Sequence, residues 1–255
     1  MTRTVGISIS ECEDMGLHGM GLVHLQDAMV EVARMLLSKG HVLAYGGDLN
    51  YSGPFNFTEL LFQLAQTYGG ANRRVINYSA FPLYLKISVR REAELVRVAE
   101  IRRVTAAEYA GWEDRRYDDL SAEGKQEIEE IFKASTPSHR KLWEDVLTAM
   151  REKMTREIQC RIVMGGKLQG FKGKMAGVIE ETILCVANDV TVFIDGRMGG
   201  AALELANGLK DRKASASGFD FSAVPGSKVV ELKKNVVMFR GKEAFPDLEK
   251  YFNIF

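Results

Sequence analysis

Apolar residues follow two different periods along the chain, and each change of period marks the end of a predicted element. Continuous apolar and β-branched runs predict buried strands at Thr4–Ser10, His41–Tyr45 and Arg74–Tyr78. Between these runs, at Leu22–Leu36 and Thr58–Tyr68, apolar residues recur every three or four positions, which predicts amphipathic helices. Strands that alternate with helices through short connections indicate a parallel sheet with right-handed crossovers.

The same order of strand, glycine-rich loop and helix occurs twice more in the second half of the chain. Apolar strands at Arg161–Met164 and Thr191–Ile194 each run into a glycine pair and then into a helical pattern. Val229–Leu232 and Val236–Phe239 predict two terminal strands, one of them at the sheet edge. The whole pattern predicts a single α/β domain over residues 1–255, with a Rossmann-like, doubly wound and mainly parallel sheet.

The segment at about 86–158 interrupts this alternation, because it is rich in charge and helix formers and has no comparable glycine loop. Leu95–Val104 fits either a strand or a helix, whereas Ser121–Ala134 predicts a short helix. Thr136 followed by Pro137 is typical of a helix start, with threonine as the N-cap. We therefore expect a helical insertion, which is either a lid or oligomer contact or simply a solvated helical face.

Glycine pairs follow three of the predicted strands, at Gly46-Gly47, Gly165-Gly166 and Gly199-Gly200. Glycine at such turns permits positive φ and lets backbone N–H groups approach a ligand closely. Helix N-termini that follow strand ends also present free N–H groups and partial positive charge to anions. The chain has neither GxGxxG nor GxxxxGK[ST], which excludes a standard Rossmann dehydrogenase and a P-loop NTPase. We therefore predict a pocket for a nucleotide-type ligand at the carboxyl ends of the strands.

Polar residues beside these loops are the candidates for contact with such a ligand. Lys167 and Arg197 would neutralise phosphate, or would be solvated loop cations. Asp48 and Asp195 would accept hydrogen bonds from ribose hydroxyls, or would cap the turns that follow them. The predicted ligand set comprises Ser10, Gly46, Gly47, Asp48, Gly165, Gly166, Lys167, Asp195, Arg197, Gly199 and Gly200. Tyr45 and Tyr51 would stack on a base or belong to the core.

Three glutamates are candidates for catalysis. Glu204 lies one turn into the helix that begins near Gly199, and Glu180 and Glu181 are placed similarly after the loop that holds Gly173. Because helical side chains lean towards the N-terminus, these carboxylates would reach back to the ligand. There they would act as acid and base in N-glycosidic cleavage, or only stabilise the first helical turn. If the protein is an enzyme, Glu204 and Glu181 are the predicted catalytic residues.

Composition narrows the classes of partner. The 34 Lys and Arg residues balance the 34 Asp and Glu residues, so no global field attracts nucleic acid or an anionic membrane. Cys12, Cys160 and Cys185 are widely spaced without a CxxC, which argues against a disulfide framework and a zinc site. No apolar run approaches the roughly 18–20 residues that span a bilayer. We therefore expect a cytoplasmic protein with no metal site and no membrane partner.

Three glycine-rich segments carry a resemblance to a known family: AYGGDL, VMGGKLQGFKGKMAGVIEET and VTVFIDGRMGGAALELA. Together they resemble the SLOG superfamily, which groups the DprA fold with the LOG-type phosphoribohydrolases. The resemblance extends from Val5 to Leu209 and is most marked for the branch associated with TIR and nucleoside-phosphorylase-like domains in bacterial defence loci. It implies a Rossmann-like fold and a nucleotide-derived ligand. Sensor members of the superfamily recognise ADP-ribose or cyclic ADP-ribose-type signals made from NAD.

The chain departs from the PGGxGTxxE motif of the LOG enzymes. It keeps the pair Gly199-Gly200 and Glu204 but lacks the proline, the Gly-Thr and the LOG spacing. The resemblance therefore implies a sensor of an NAD-derived nucleotide in antiphage defence, with a LOG-like enzyme that cleaves or transfers an N-glycosidic bond as the alternative. DprA-like binding of single-stranded DNA is disfavoured by the zero net charge and the lack of a basic, aromatic-rich run. The resemblance also implies a homo-oligomer, a TIR-domain or other effector as partner, and no cofactor besides the ligand.

Overall fold

The computed structural model describes residues 2–50, 55–70, 74–212 and 219–241. Its strands are β1 (Thr4–Ser10), β2 (Val42–Tyr45), β3 (Val75–Ala80), β4 (Ala99–Val104), β5 (Cys160–Gly165), β6 (Thr191–Asp195), β7 (Val229–Lys233) and β8 (Val236–Phe239). Its α-helices are α1 (Leu22–Ser38), α2 (Phe57–Tyr68), α3 (Val89–Leu95), α4 (Ala122–Lys133), α5 (Pro137–Glu157), α6 (Gly177–Ala187) and α7 (Gly200–Asp211). Short 3-10 turns lie between several of these elements.

The strands of the described residues form one sheet in the order β4-β3-β2-β1-β5-β6-β8-β7. Strands β1 to β6 pair in parallel, whereas β8 pairs antiparallel with both β6 and β7. From β1 the chain winds outwards through β2, β3 and β4, and then returns to place β5 on the other side of β1. The sheet is therefore doubly wound, as predicted, and its switch point lies between β1 and β5, where Ser10 pairs with Gly165.

The central strands are buried on both faces of the sheet. Every residue of β3, β5 and β6 is buried, which explains why these strands read as continuous apolar runs rather than alternating ones. Right-handed crossovers in the two halves place their helices on opposite faces, so α1 and α2 pack together on one side and α5 and α6 on the other. Cys160 and Cys185 are buried within this core.

The segment at 86–158 is helical only in part. Ala99–Val104 forms β4, an edge strand that pairs in parallel with β3, so the ambiguous stretch continues the main sheet. The insertion predicted over this whole segment is corrected to that extent, because half-buried charged side chains hid the strand period. The predicted helix starts are confirmed: the side chain of Ser121 caps α4, and Thr136 caps α5 by accepting the N–H of His139.

The two predicted terminal strands are confirmed as β7 and β8, with β7 at the sheet edge. Tyr51 lies outside the described residues, as does the segment at 246–255, whose sequence fits a short helix or a docking tail. Within the part of the chain that the structure describes, no helix is both long and apolar enough to cross a membrane.

Candidate ligand cleft at the switch point

Two adjoining cavities open at the carboxyl ends of β1, β2 and β5, on either side of Tyr45. The first has a volume of about 380 Å³ and the second about 290 Å³. Both are lined by Ile9, Ser10, Tyr45, Gly46 and Lys167. The shared residues make the two cavities parts of one cleft, which lies where a doubly wound sheet binds its ligand. The first cavity thus brings together five of the predicted ligand residues, namely Ser10, Gly46, Gly47, Asp48 and Lys167.

The first cavity is bounded by the loop after β2. Gly47 is required there, since a Cβ would lie 2.1 Å from Oγ1 of Thr58 and 2.4 Å from the ring of Tyr45. Asp48 lines the cavity, where its carboxylate is placed to contact a ligand. It also accepts the N–H of Asn50 at 2.8 Å, which is the turn cap predicted as the alternative. The charge of Asp48 also acts on Lys172: burial lowers the pKa of this lysine, and the nearby carboxylate of Asp48 opposes the shift.

Tyr45 forms the partition between the two cavities. Its ring is partly exposed to the cleft, while burial and then the charge of Glu181 raise the pKa of its hydroxyl well above the ordinary range. The hydroxyl therefore stays protonated at physiological pH and serves as a hydrogen-bond donor. A partly exposed aromatic ring in a polar cleft is also a surface on which a nucleobase can stack.

The second cavity is lined by charged residues from two helices. Arg151 of α5 and Glu181 of α6 lie on its wall, together with Gly177, Val178 and Phe171. Arg151 is only 8% exposed, and it donates from Nη1 to Glu180. Its Nε lies 3.9 Å from Glu181. The guanidinium is seated against the chain that leads into α6, because a Cβ on Gly177 would lie 2.7 Å from its Nη2.

Glu181 belongs to a buried ion pair. Its carboxylate accepts a hydrogen bond from Nη1 of Arg161 at 2.7 Å and another from the hydroxyl of Ser8. Arg161, the second residue of β5, lies beside Gly6 of β1, has no exposed surface, and also donates to Sγ of Cys185. Burial would lower the pKa of Arg161, but Cys185 and Glu181 outweigh it, so its pKa stays above its ordinary value. The carboxylate that lines the second cavity is therefore already neutralised and hydrogen-bonded.

The pair Gly165-Gly166 lies beneath the cleft and lines neither cavity. Both residues have positive φ, of 60° and 103°. A Cβ on Gly165 would lie 2.4 Å from the carbonyl of Ser10, and one on Gly166 would lie 2.8 Å from Val178. Gly166 also donates its N–H to Ser10 and accepts from Ala201. This pair lets β1, α6 and α7 approach one another, which is a packing role.

The pair Gly199-Gly200 lies at the N-terminus of α7, where it binds a carboxylate of the protein itself. The N–H of Gly200 donates to both carboxylate oxygens of Asp14, at 2.9 and 3.0 Å. Burial opposes ionisation of Asp14, but its hydrogen bonds with Gly200, Cys12 and His18 hold its pKa below the ordinary value. The position where sequence reasoning placed a phosphate is therefore filled by a side chain.

The remaining predicted residues are engaged elsewhere. Asp195 is buried and accepts Nε of Arg197 at 2.9 Å and the N–H of the same residue at 3.0 Å, so it caps the turn that follows β6. Arg197 thereby pairs with its neighbour in sequence. Glu204 is half-buried on α7 and lines neither of the two cavities described.

Sequence reasoning missed Arg151, Arg161 and Asp14. Arg151 stands in the helical register of the apolar stripe of α5, four residues after Leu147 and three before Met154, which signals a charge turned inwards. Arg161 opens an apolar strand, and its burial depends on Gly6, which is far away in sequence. The sequence around Asp14 does not indicate its role, because only the tertiary fold brings this residue to the start of α7.

These features define the class of the protein: a doubly wound α/β protein with a polar cleft at its switch point. A family model described as SLOG cluster2 matches residues 1–228 of the chain. The protein therefore belongs to this SLOG family, as its glycine-rich segments indicated.

No curated protein matches the chain. Among solved structures, the chain is similar to the X-ray structure of TM1055, a structural genomics target, at 14% sequence identity. The similarity covers 81% of each chain with a TM-score of 0.40. Similarity at this level adds nothing on function, which has to be argued from the cleft itself.

Proposed function

We propose that this protein binds a nucleotide-derived ligand in the cleft between β1, β2 and β5. The observation that carries the proposal is the pair of adjoining cavities that share Ser10, Tyr45, Gly46 and Lys167 at the switch point. Their volumes, about 380 and 290 Å³, are in the size range of small-molecule pockets. Membership of the SLOG family supports a nucleotide as the class of ligand.

Within this class, we propose an NAD-derived signal of the ADP-ribose or cyclic ADP-ribose type. Such a ligand has an adenine to stack on Tyr45, ribose hydroxyls to donate to Asp48, and phosphates to approach Lys167. The sensor role in antiphage defence, and the relation to the branch associated with TIR domains, rest on the resemblance of the glycine-rich segments. A TIR-domain or other effector would then be the partner that responds.

Isothermal titration calorimetry of the full chain against NAD, ADP-ribose and its cyclic isomers tests this proposal. We expect saturable heat with at least one of these ligands. Folded protein that gives no heat with any of them would contradict the proposal. A matched pair of variants then places the site: Ser10→Trp fills the shared part of the cleft, whereas Ser38→Trp puts the same side chain on the exposed end of α1. Only Ser10→Trp should abolish binding.

One observation favours an enzyme as the second candidate: Glu181 lines the second cavity. A LOG-like enzyme would use such a carboxylate to cleave or transfer an N-glycosidic bond. Incubation with nucleoside monophosphates and NAD, followed by chromatography, distinguishes the two functions. Products that disappear with Glu181→Gln, in protein shown to be folded, would support the enzyme. Ligands that bind and are recovered unchanged would support the sensor.

We also propose that the protein acts as a homo-oligomer, since sensors of this kind commonly work by changing an assembly. The support is the family resemblance alone. Light scattering with and without ADP-ribose tests the proposal, and a monomer under both conditions would refute it.

A further inference from the structure

We infer that the anionic group of the ligand binds in the second cavity, at the N-terminus of α6, where Arg151 and Lys167 form an anion subsite. This inference rests on the proposed function and adds to it the orientation of the ligand. The glycine pairs alone suggest phosphate on both the loop at 165–167 and the loop of Gly199-Gly200; the inference keeps Lys167 but moves the anion away from the N-terminus of α7. Two observations favour α6 over α7 as the anion site. The N-terminus of α7 already binds the carboxylate of Asp14, and the guanidinium of Arg151 has a donor without an acceptor.

The N-terminus of α7 is already neutralised. The carboxylate of Asp14 accepts the N–H of Gly200 with both oxygens, and Cys12 donates to the carbonyl of Met198 beside it at 3.3 Å. A phosphate at this position would have to displace a carboxylate of the same charge. It would also have to open the segment that precedes α1.

Among the described residues, no side chain caps the N-terminus of α6. Its N-cap residue is Ala176, which supplies no side-chain cap, and the first hydrogen bond of the helix starts at Glu180. Gly177 and Val178, whose N–H groups are therefore left over at the helix start, lie on the wall of the second cavity. Free N–H groups and the positive end of the helix dipole favour an anion here.

Arg151 supplies the second, independent observation. The residue is more than nine-tenths buried, lines the second cavity, and has an Nε with no hydrogen-bond partner. Among the described residues its Nη2 also has no hydrogen-bond acceptor, and this nitrogen lies against Gly177 at the helix start. A buried guanidinium with unused donors is costly unless an acceptor completes it. An anion in the second cavity would do so.

The balance of charge around the second cavity favours that anion. Three cations, Arg151, Arg161 and Lys167, stand in or beside the second cavity, against the two carboxylates Glu180 and Glu181. With Lys167, which lines both cavities, counted here, one positive charge is in excess in the second cavity. The first cavity has the opposite character, because Glu11 and Asp48 line it beside Lys167. A nucleotide would then place its phosphate or pyrophosphate in the second cavity and its sugar hydroxyls in the first.

A titration of inorganic phosphate into protein labelled with ¹⁵N at glycine tests the position of the subsite. Gly177 and Gly200 mark the first residues of α6 and α7, so each reports on one helix N-terminus. We expect the amide resonance of Gly177 to shift and saturate, while that of Gly200 stays in place. A shift of Gly200 without Gly177, or no saturable shift of either, would overturn the inference.

Two variants test the residues by calorimetry with AMP and adenosine. Lys167→Met removes an exposed charge and should leave the fold intact, and Lys39→Met, which removes an exposed lysine at the opposite, amino ends of the strands, is its control. Arg151→Lys keeps the charge that pairs with Glu180 but loses the planar fork. We expect each cleft variant to weaken AMP binding about tenfold and adenosine binding by clearly less, because adenosine lacks the anionic group.

The outcomes separate this inference from the proposed function. If AMP or ADP-ribose binds and neither cleft variant changes its affinity, the subsite is overturned and nucleotide binding stands. If phosphate shifts Gly177 but no nucleotide or nucleoside binds, the subsite is supported and the proposed function fails.

Discussion

The carboxylate of Asp14 accepts the N–H of Gly200 at 2.9 and 3.0 Å, although 186 residues separate the two in sequence. This contact ties the segment after β1 to the start of α7. It also explains why α7 begins at a glycine without a side-chain cap of its own. Asp14 performs from a distance what an N-cap residue usually performs locally.

Loss of this distant cap should destabilise the fold. We expect Asp14→Ala to lower the free energy of unfolding by about 1 kcal/mol, as the removal of an N-cap side chain does. Urea denaturation followed by circular dichroism measures the change. Asp27→Ala removes an exposed carboxylate from α1 and should change the stability by less than about 0.5 kcal/mol. Equal effects of the two variants would contradict the role given to Asp14.

The same contact predicts a dependence of stability on pH. The folded-state pKa of Asp14 lies below its ordinary value of 3.8, so the unfolded chain takes up this proton at higher pH than the folded chain. The contribution of Asp14 is therefore fully present above about pH 5 and is lost as the pH falls through the folded-state pKa. The difference in unfolding free energy between the wild type and Asp14→Asn should shrink between about pH 5 and pH 3. A constant difference over that interval would refute this.

Cys12 lies beside the same contact, and its thiol should react slowly. Burial raises its pKa to about 12, with Asp14 adding to the shift, so little thiolate is present at neutral pH. We expect alkylation of Cys12 by iodoacetamide at about pH 8 to be at least tenfold slower than in the urea-unfolded chain. Asp14→Asn should speed the reaction, because it removes the negative charge that disfavours the thiolate. Peptide mapping by mass spectrometry measures both rates, and a native Cys12 that reacts at the unfolded rate would be contrary to this.

Much of the fold could be predicted from the sequence, because the central strands are buried on both faces and flanked by amphipathic helices. Such strands give continuous apolar runs, and helices give a period of three to four, so β1, β5 and β6 were evident. The strand β4 was ambiguous, since four of its six residues are only half-buried and its charged side chains pair at the sheet edge. Edge strands lack the apolar run that marks a central strand.

The position of the cleft could also be predicted, because the glycine pairs mark the carboxyl ends of the strands. The roles of individual residues could not. Asp195 was expected either to contact the ligand or to cap its turn, and the structure shows the cap, with Arg197 paired to it. Asp14, which occupies the N-terminus of α7, and Arg151, which lies against the start of α6, were missed. Each of these outcomes depends on contacts between residues distant in sequence or on side-chain direction, which local patterns do not encode.

The structure distinguishes glycines that are needed from those that are not. Gly200 has a φ of 58°, and a Cβ there would lie 2.4 Å from the carbonyl of Gly166 and 2.5 Å from Cβ of Cys12. Gly170 has a similar φ of 69°, but a Cβ would meet open space. We expect Gly170→Ala to cost about 1 kcal/mol from backbone strain alone. Gly200→Ala should cost at least about 2 kcal/mol, because steric overlap adds to the strain. Thermal or urea unfolding of both variants gives the comparison, and equal costs would mean that the crowding is absent.

The buried pair of Arg161 and Glu181 should be far more sensitive than a surface pair of the same chemistry. Arg161 has no exposed side-chain surface and Glu181 only 12%, so Glu181→Gln leaves a buried guanidinium without its countercharge. We expect a loss of about 3–5 kcal/mol in unfolding free energy. Glu152→Gln breaks the exposed pair with Arg156, at 3.1 Å, and should cost less than about 1 kcal/mol. Denaturant unfolding of the two variants provides the measurement. If Glu181→Gln costs no more than Glu152→Gln, water or a bound anion must already solvate Arg161, and the buried network would need to be redrawn.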